Sequence, residues 1–530
     1  MKRILATMMI VVLLSVLSGC SNKTQENEGK LDNNYDGTQI SLSDSEIKVN
    51  GSAVSTDSTQ GVYVANDIVY YESGHDFTYG EGTEKEAHTK QDADDHTVVH
   101  ITQAGQYVLN GKLSKGQIAV DLGEDAEDNP NAVVTLVLNG ADVTCEVAPA
   151  IIFYNVYECG VKDEETASND VDTSEAGANV IIADGVINNI SGSHVAKIYE
   201  PDSIILSDDG KEVEDADKLH KYDGAFYSKM SMNISGGEKG DGILNINADN
   251  EGLDSELHLT INGGNINIVS GNDGINTNED NISVTTVNAG NLNIHVNGDT
   301  GEGDGIDSNG WLVINGGSVT AQACSFSGDA GIDSDKGIHI NGGKVFATGN
   351  MLDRISKSEQ TFAVFSFAQS QKSGTYALKD TDEKVIIEQK VTNDFKYLIV
   401  SAPELREGEY TLWNGDASLE GMPAQWNAGA DFNSAPPQDD GEAPEKPQGE
   451  EPPEGMTPPD GQEMPQKPEG EEPPAKPNGN EPPEMPEGMT PPEGNPQGGK
   501  GPYGKNDFSS TEEKSEIFSF NVGENYFIIG

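Results

Sequence analysis

A short acidic segment recurs along the chain, each time just before an apolar run. It reads GDGIDSNGWLVINGG at residues 303–317, NEGLDSELHLTINGG at 250–264 and DAGIDSDKGIHINGG at 329–343. A looser copy, NDGINTNEDNISVTTVNAG, occupies residues 272–290. Carboxylate, carboxamide and carbonyl oxygens are the ligands that a hard divalent cation such as Ca²⁺ prefers. The repeated acids therefore indicate a cation-binding role.

Alignment of the four copies places these residues in three columns. The columns are Asp254, Asn276, Asp307 and Asp333; Glu256, Asn278, Asn309 and Asp335; and Glu251, Asp273 and Asp304. Like charges stacked about 5 Å apart repel by roughly 1 kcal/mol in water, and by about 3–4 kcal/mol at an effective dielectric constant of 20. A bound cation would offset that repulsion. The candidate metal ligands are Asp241, Asp254, Asp273, Asn276, Asp304, Asp307, Asp333 and Asp335.

The alternative interpretation is that these acids are solvated turn residues, because Asp, Asn and Gly are common in turns. For a single copy of the segment that interpretation is the better one. Repetition at a nearly constant spacing favours the cation site, and Ca²⁺ is the predicted cofactor.

The spacing of the copies predicts the fold that aligns them. The middle residues of the NGG-like turns, which are Gly236, Gly263, Ala289, Gly316 and Gly342, are 27, 26, 27 and 26 residues apart. Such a period, with β-branched residues, Asn and Gly at fixed places and no helical pattern, is typical of a parallel β-helix, a solenoid. We expect positive φ at turn glycines and amide ladders along stacked Asn residues.

Alternation along a strand predicts which way the acids point. In GIDSD, at residues 331–335, Ile332 and Ser334 face inward if the segment is extended, and Asp333 and Asp335 face outward. We therefore expect one strand of each coil to show carboxylates to solvent.

The composition excludes several classes of protein. The chain has 530 residues, with 32 Lys and Arg against 90 Asp and Glu and a formal net charge of -58. Such a charge repels nucleic acid and anionic lipid head groups, which are recognised mainly through Lys and Arg. A hydrophobic content of 34%, with 61 Gly and 25 Pro, argues against one ordinary globular core. The expected partners are cations, or polymers bound through cations.

The N-terminus has the pattern of a bacterial lipoprotein signal peptide. Lys2 and Arg3 precede an apolar run at residues 4–17, and LSGC ends at Cys20. The run is too short to span a bilayer. We expect a signal peptide at residues 1–20, acylation of Cys20, and anchoring to the extracellular face of the bacterial plasma membrane. The alternative is an ordinary cleaved signal with an incidental cysteine.

The rest of the chain divides by pattern and composition. Residues 435–505 are rich in Pro, Glu and Gly and cannot bury a core. Strand-like apolar runs on either side of that segment predict a cap for the open edge of the β-helix. The predicted order is a flexible spacer at 21–39, an N-terminal β region at 40–110, the parallel β-helix at 111–355, a small antiparallel β cap at 356–434, the disordered acidic Pro-rich segment at 435–505, and terminal strands at 506–530 that return to the cap.

Several segments resemble one known family. They are GQIAVDLG at 116–123, VTLVLNGADVTC at 134–145, DGILNINADNEGLDSELHLTINGGNINI at 241–268 and GEGDGIDSNGWLVINGGSVTA at 301–321. They are similar to a bacterial carbohydrate-binding domain family of calcium-containing, right-handed parallel β-helix proteins related to family 9 pectate lyases. The resemblance covers about residues 40–350. It implies calcium on the acidic residues of the coils and binding of plant cell-wall polysaccharide, cellulose and polygalacturonate, without demonstrated cleavage.

Two residues are candidates for contact with a sugar. Trp311 follows the DSNG turn and could stack on a sugar ring, and Lys336 lies beside Asp335. A calcium-dependent pectate lyase also needs a Lys or Arg base, but no repeated basic position accompanies the acids. We therefore predict a binding protein without catalytic residues. The alternative from another class is a calcium-stabilised structural or adhesive surface solenoid.

Overall fold

The computed structural model describes residues 35–160, 162–426, 508–509 and 513–530. The predicted signal peptide with Cys20 and the predicted Pro-rich segment lie outside the described residues.

Within these ranges the chain is almost entirely β-strand, which confirms the expected all-β class. The helical segments are one α-helix, Lys90–Asp94, and two 3₁₀ turns, Glu124–Ala126 and Pro201–Ser203. No helix in the described part of the chain is long and apolar enough to cross a membrane.

Three stacks of parallel strands, here called ladders, contain most of the β-structure. In each ladder a strand pairs with the next member along the chain. The first ladder contains Thr38–Leu42, Gly105–Leu113, Val134–Thr144, Ala178–Ile182, Met232–Gly236, Leu259–Ile261, Val284–Val287, Trp311–Ile314, Gly337–Ile340 and Ile355–Ser358.

The second ladder begins with the C-terminal halves of Gly105–Leu113 and Val134–Thr144. It continues through Ile187–Gly192, Ile243–Ala248, Asn265–Ser270, Asn291–Val296, Ser318–Gln322 and Lys344–Gly349.

The third ladder carries the candidate site. It contains Thr97–Ile101, Gly116–Asp121, Ile151–Asn155, Gly224–Ser228, Glu251–Ser255 and Ile275–Thr277. Val62–Ala65 pairs in antiparallel with its first strand. An isolated bridge from Ile275 to Ile306 continues the ladder beyond its last strand.

The pairing register follows the sequence repeat. In the first ladder Leu259 pairs with Thr285, Thr285 with Leu312, and Leu312 with Ile338, which are offsets of 26, 27 and 26 residues. The last glycine of each turn has a positive φ, as expected, because these positions need a conformation that residues with a Cβ rarely adopt. These glycines are Gly264, Gly290, Gly317 and Gly343, with φ of 92°, 93°, 74° and 81°.

Stacked asparagines connect successive repeats, as expected. One amide ladder runs from Asn293 to Asn267, Asn245 and Asn189, each Nδ2 donating to the next Oδ1 at 3.1, 2.9 and 2.9 Å. A second runs from Asn341 to Asn315, Asn288 and Asn262 at 2.8, 2.9 and 2.9 Å. These bonds fix the register that the backbone pairing also requires.

Apolar side chains from all three ladders pack into one core. Ile261 of the first ladder, Ile268 of the second and Leu253 of the third belong to the same cluster, and each is at most 1% exposed. Full burial of such a side chain contributes about 1.5–3 kcal/mol. The core therefore holds the three ladders in a fixed arrangement.

A mainly antiparallel cap follows the ladders, with one parallel pair between Phe362–Gln371 and Glu524–Ile529. Its strands are Phe362–Gln371, Gly374–Asp380, Val385–Val391, Phe395–Ser401, Gly408–Asn414, Ala417–Ser418, Gly421–Trp426, Phe508–Ser509, Phe518–Phe520 and Glu524–Ile529. Phe395–Ser401 pairs with the last strand of the second ladder, Lys344–Gly349, and so covers an edge that would otherwise be open. Glu524–Ile529 pairs with both Phe362–Gln371 and Gly421–Trp426.

One excursion from the ladders forms part of the site. Val195–Tyr199 pairs in antiparallel with Lys218–Tyr222, and the short strands Ile205–Leu206 and Val213–Asp215 pair between them. Lys218–Tyr222 leads directly through Asp223 into the third ladder. A further small hairpin, Lys48–Val49 with Ser52–Ala53, lies beside the first strand.

Candidate metal centres

Three buried carboxyl groups meet in the third ladder, at a place here called the Asp254 cluster. Glu251 and Asp254 belong to the strand Glu251–Ser255, and Asp223 immediately precedes the neighbouring strand. One carboxylate oxygen of each lies within 4.8 Å of the others. Asp223, Glu251 and Asp254 are 8%, 5% and 0% exposed. Solvent therefore contributes little to screening their charges.

Two oxygens in this cluster lack any partner. Glu251 Oε2 and Asp254 Oδ2 are buried without a hydrogen bond, and so is Oδ1 of the adjacent Asn276. Asn276 Nδ2 donates to the other Glu251 oxygen at 3.2 Å. A buried polar atom without a partner destabilises the fold by about 1–3 kcal/mol, and more if it is charged. Three such atoms close together mark a place where a cation would satisfy them.

Burial shifts the titration of these acids. Burial, followed by the charges of Asp254 and Asp223, raises the pKa of Glu251 well above its usual range. Burial, followed by the charges of Asp223 and Glu256, does the same to the pKa of Asp254. Without a cation these carboxyls therefore retain protons that ordinary surface acids have lost.

One lysine lies against the cluster. Lys221 Nζ is 2.6 Å from an Asp223 carboxylate oxygen. Burial lowers the pKa of Lys221, but the charge and hydrogen bond of Asp223 outweigh that effect and raise it overall. Lys221 therefore stays protonated and neutralises only part of the cluster.

A second group, here called the Asp307 cluster, lies further along the same face. Asp304, Asp307 and Asp333 each place a carboxylate oxygen within 4.8 Å of the other two, and all three are buried. Asp304 Oδ1 accepts from the Ala330 backbone N at 2.5 Å, and Asp273 Oδ1 accepts from the Asp304 N at 2.6 Å. The backbone therefore holds these acids in position.

The columns predicted from the repeat exist. Asp254 pairs with Asn276, the Asp307 N donates to the Ile275 carbonyl, and the Asp333 N donates to the Ile306 carbonyl. These bonds place Asp254, Asn276, Asp307 and Asp333 at equivalent positions in successive repeats. The strand register thus stacks Asp254, Asn276, Asp307 and Asp333 in one column. Asp304 joins Asp307 and Asp333 in the second cluster, and Asp273 lies beside it.

The expected orientation of the acids is wrong. Asp333 was expected to face solvent, but it is 5% exposed, and Asp307 is 8% exposed. Alternation turns these side chains away from the apolar core, yet residues of neighbouring repeats cover them. Over the Asp254 cluster, the segment that carries Lys221 and Asp223 supplies this cover. Asp335, in the next column, is exposed as expected.

Four candidate ligands belong to neither cluster: Asp273 and Asn276, which adjoin them, and Asp241 and Asp335. Asp241 is exposed, and its Oδ1 accepts from the Gly185 backbone N at 2.8 Å. Asp335 follows the Asp307 cluster but belongs to neither group. The candidate sugar contacts are close to each other, because the Lys336 N donates to the Gly310 carbonyl, beside the half-buried Trp311.

Sequence reasoning missed two members of the Asp254 cluster as ligands. Glu251 falls in the third column of the alignment, with Asp273 and Asp304, and Asp223 precedes the aligned copies altogether. The available signal was an acid followed by glycine, which occurs at Asp223, Glu251, Asp273 and Asp304. Asp223 is one residue out of register with the others, since Gly224 rather than Asp223 pairs with Glu251.

Comparisons with known proteins place the chain in a family. The model of a family described as carbohydrate-binding domain-containing protein matches residues 95–211 and 171–391. No curated protein matches the chain. A solved structure, the polysaccharide lyase-like protein from C. thermocellum in a gadolinium derivative, is similar at 17% identity and a TM-score of 0.31, over 61% of this chain and 92% of that one. Because the two family matches together extend over more than half of the 530 residues, the chain belongs to the carbohydrate-binding domain-containing protein family.

Proposed function

We propose that this protein is a cell-surface lipoprotein that binds plant cell-wall polysaccharide, cellulose or polygalacturonate or both. We further propose that its ladders are the faces of a calcium-loaded, right-handed parallel β-helix. The observation that carries polysaccharide binding is the family match over residues 95–391. The parallel pairing at offsets of 26 and 27 residues supports the β-helix.

The chemistry of the two clusters supports calcium. Their donors are oxygen atoms, and Ca²⁺ binds oxygen at about 2.3–2.6 Å, so two ligands of one ion lie up to about 5 Å apart. In each cluster one carboxylate oxygen of every residue lies within 4.8 Å of the others, which falls within that span. Asp223, Glu251 and Asp254, with the Asn276 amide oxygen, would hold one ion, and Asp304, Asp307 and Asp333 another. A bound divalent ion would add positive charge beside these buried oxygens.

Burial of the acids defines what such an ion would do. Asp254 is 0% exposed, so an ion held there would lie beneath the surface. Its role would be to fix the strands of the third ladder against one another. Polysaccharide would then contact side chains above the ion rather than the ion itself.

The surroundings of the Asp254 cluster support binding without cleavage. A lyase base must be unprotonated to accept the sugar proton. Lys221, beside this cluster, is held as an ammonium group in an ion pair with Asp223. We therefore propose a binding protein, held at the membrane through acylated Cys20, rather than a pectate lyase.

Depletion assays test the proposed function. The purified protein should be removed from solution by insoluble cellulose or by immobilised polygalacturonate, and a chelator should weaken that removal. Absorbance from unsaturated sugar should not rise during the same incubation. Depletion by neither polymer would contradict polysaccharide binding, and a rise in that absorbance would identify a lyase instead.

Burial of both clusters also favours a second candidate, a calcium-stabilised surface scaffold. In that case the protein would bind calcium and gain stability from it, yet neither polymer would deplete it. The same assays, combined with a calcium measurement, distinguish the two.

A further inference from the structure

A groove lies over the third ladder, where the strands end. It has a volume of about 620 Å³. Asp121 and Asn155 end two of the strands, and Lys229 and Glu256 directly follow two others, so the floor comes from four successive members of the ladder. The strand Lys218–Tyr222 forms a wall. The groove therefore crosses the strands and follows the direction in which they stack.

The groove continues beyond the first cavity. A second cavity of about 330 Å³ shares Lys218, Lys221, Glu256 and Glu279 with the first and extends to Asn309. From Asp121 to Asn309 the floor passes through six successive segments of the ladder. At about 4.8 Å per strand, these extend roughly 24 Å. That length accommodates several sugar units of a linear chain rather than one small molecule.

Aromatic rings line one part of the groove. Tyr222 packs on Tyr154 at 5.6 Å and on Tyr227 at 5.0 Å between ring centroids. Tyr227 Oη donates to Glu256 Oε1 at 2.6 Å, so its ring is fixed in place. Tyrosine combines an apolar ring with a polar tip. Tyr222 and Tyr227 are 7% and 2% exposed, so of these rings only that of the half-buried Tyr154 can offer an apolar face to a sugar.

The groove carries charges of both signs, because the acids Asp121, Glu127, Glu256, Glu279 and Asp280 line it together with lysines. Four of the 32 Lys and Arg residues line it. Lys162 is paired with Glu127, Lys218 with Glu256 and Lys221 with Asp223. Lys229 is exposed and forms no ion pair with any residue that the structure describes.

The charge of Lys229 also affects the neighbouring Lys162. After burial, its charge is the main influence that lowers the pKa of Lys162. Lys162 already has Glu127 as its partner, so Lys229 is the lysine of the first cavity with which an added carboxylate could pair. The expected ligand is thus an anion.

The groove is connected to the Asp254 cluster. Tyr227, in its floor, pairs directly with Asp254, and the wall strand leads into Asp223. Lys221 touches both the groove and the cluster. An ion in the cluster would therefore hold the floor and the wall of the groove together.

From this arrangement we infer that the groove is the binding site for a linear, carboxylate-bearing polysaccharide, which lies along the stacking direction of the third ladder with a carboxylate at Lys229. This inference rests on the proposed polysaccharide binding and locates it. It places the polymer away from Trp311 and Lys336, which do not line the groove.

Two matched variants test the site. Lys229→Glu reverses the charge in the groove, and Lys396→Glu makes the same change at an exposed lysine of the cap that does not line it. Binding of both variants to polygalacturonate is measured in calcium and compared with wild type. We expect Lys229→Glu to lose roughly fivefold or more in affinity, because one surface ion pair contributes up to about 1 kcal/mol and reversal adds repulsion. Lys396→Glu should bind like wild type.

A second arm uses only the wild-type protein, so that it does not depend on how a variant folds. Methyl-esterified polygalacturonate lacks the carboxylate charge and should bind more weakly than the free acid. Equal binding of ester and acid, or equal binding by Lys229→Glu and wild type, would overturn the assignment of the groove and leave polysaccharide binding in place. Failure of wild type to bind the acid, the ester and cellulose alike would overturn both proposals.

Discussion

Tyr227 and Asp254 lie directly opposite each other in neighbouring parallel strands of the third ladder. The tyrosine ring contributes to the surface groove, and the carboxyl group belongs to the buried acidic cluster. This one strand pair therefore connects the proposed polysaccharide site to the proposed calcium site. Changes at either site should affect the other.

Calcium should reverse the order of stability of wild type and the Asp254→Asn variant. Without calcium the variant should be more stable than wild type by about 1–3 kcal/mol, because it removes one of three carboxyl groups that are buried against one another. In saturating calcium, wild type should be the more stable protein, because it keeps the ligand. Unfolding by denaturant with chelator and with calcium measures both differences. The same order of stability under both conditions would contradict the proposed site.

The metal-free protein should lose stability as the pH rises. The pKa values of Glu251 and Asp254 are raised well above 4.5 and 3.8 by burial and neighbouring charge. Groups whose folded pKa is raised contribute stability below their unfolded pKa, and that contribution is lost as the pH rises through the folded value. Thermal unfolding in chelator should therefore occur at lower temperature as the pH is raised from 4 towards neutrality. Calcium should remove most of this dependence.

His194 should produce a separate loss of stability at higher pH. It lies between Glu86 and Asp249, at 3.1 and 3.2 Å, and is 14% exposed. Burial lowers its pKa, but the two acids outweigh burial and raise it to about 8 from 6.5. The resulting contribution, about 2 kcal/mol, is fully present below pH 6.5 and is lost as the pH rises through about 8.

His194→Gln tests this assignment. The variant should unfold more easily than wild type at pH 6 and about equally at pH 9, both in calcium. Curves that differ by the same amount at the two pH values would show that the histidine contributes only packing.

Asn267→Ala should break the first amide ladder. Asn267 donates to Asn245 and accepts from Asn293, so its removal breaks both of these bonds. The expected destabilisation is about 1–2 kcal/mol, since these amides are partly exposed and regain some bonds to water. Asn247→Ala is the control, because this exposed residue lies in the neighbouring strand but takes no part in the amide ladder. Equal effects of the two substitutions on denaturant unfolding would show that the ladder is not stabilising.

The constant spacing of the repeat made part of this structure predictable. Because Leu259, Thr285, Leu312 and Ile338 follow one another at 26 or 27 residues, the alignment of Asp254 with Asn276 and Asp307 followed from the sequence. The positive φ of the turn glycines and the asparagine ladders followed from the same period. Local repetition was sufficient for these features because each depends only on the adjacent repeats.

Features that depend on contacts outside the repeat were not predictable. The burial of Asp333 depends on what covers the ladder, which alternation does not reveal. Asp223 and the groove depend on Lys218–Tyr222, an excursion that pairs back with Val195–Tyr199. Nothing in the repeated segments indicates where that strand lies. Lys229, the residue on which the groove assignment depends, therefore had no recognisable signal in the sequence.

The most direct test of the central claim is the amount of calcium bound by the metal-free protein, measured by titration with and without Glu251→Gln and Asp254→Asn together. Buried acids stacked by the ladder should bind calcium in wild type, and the double variant should bind at least one ion fewer while keeping its β-sheet circular dichroism. Wild-type protein that binds no calcium above background would contradict the account.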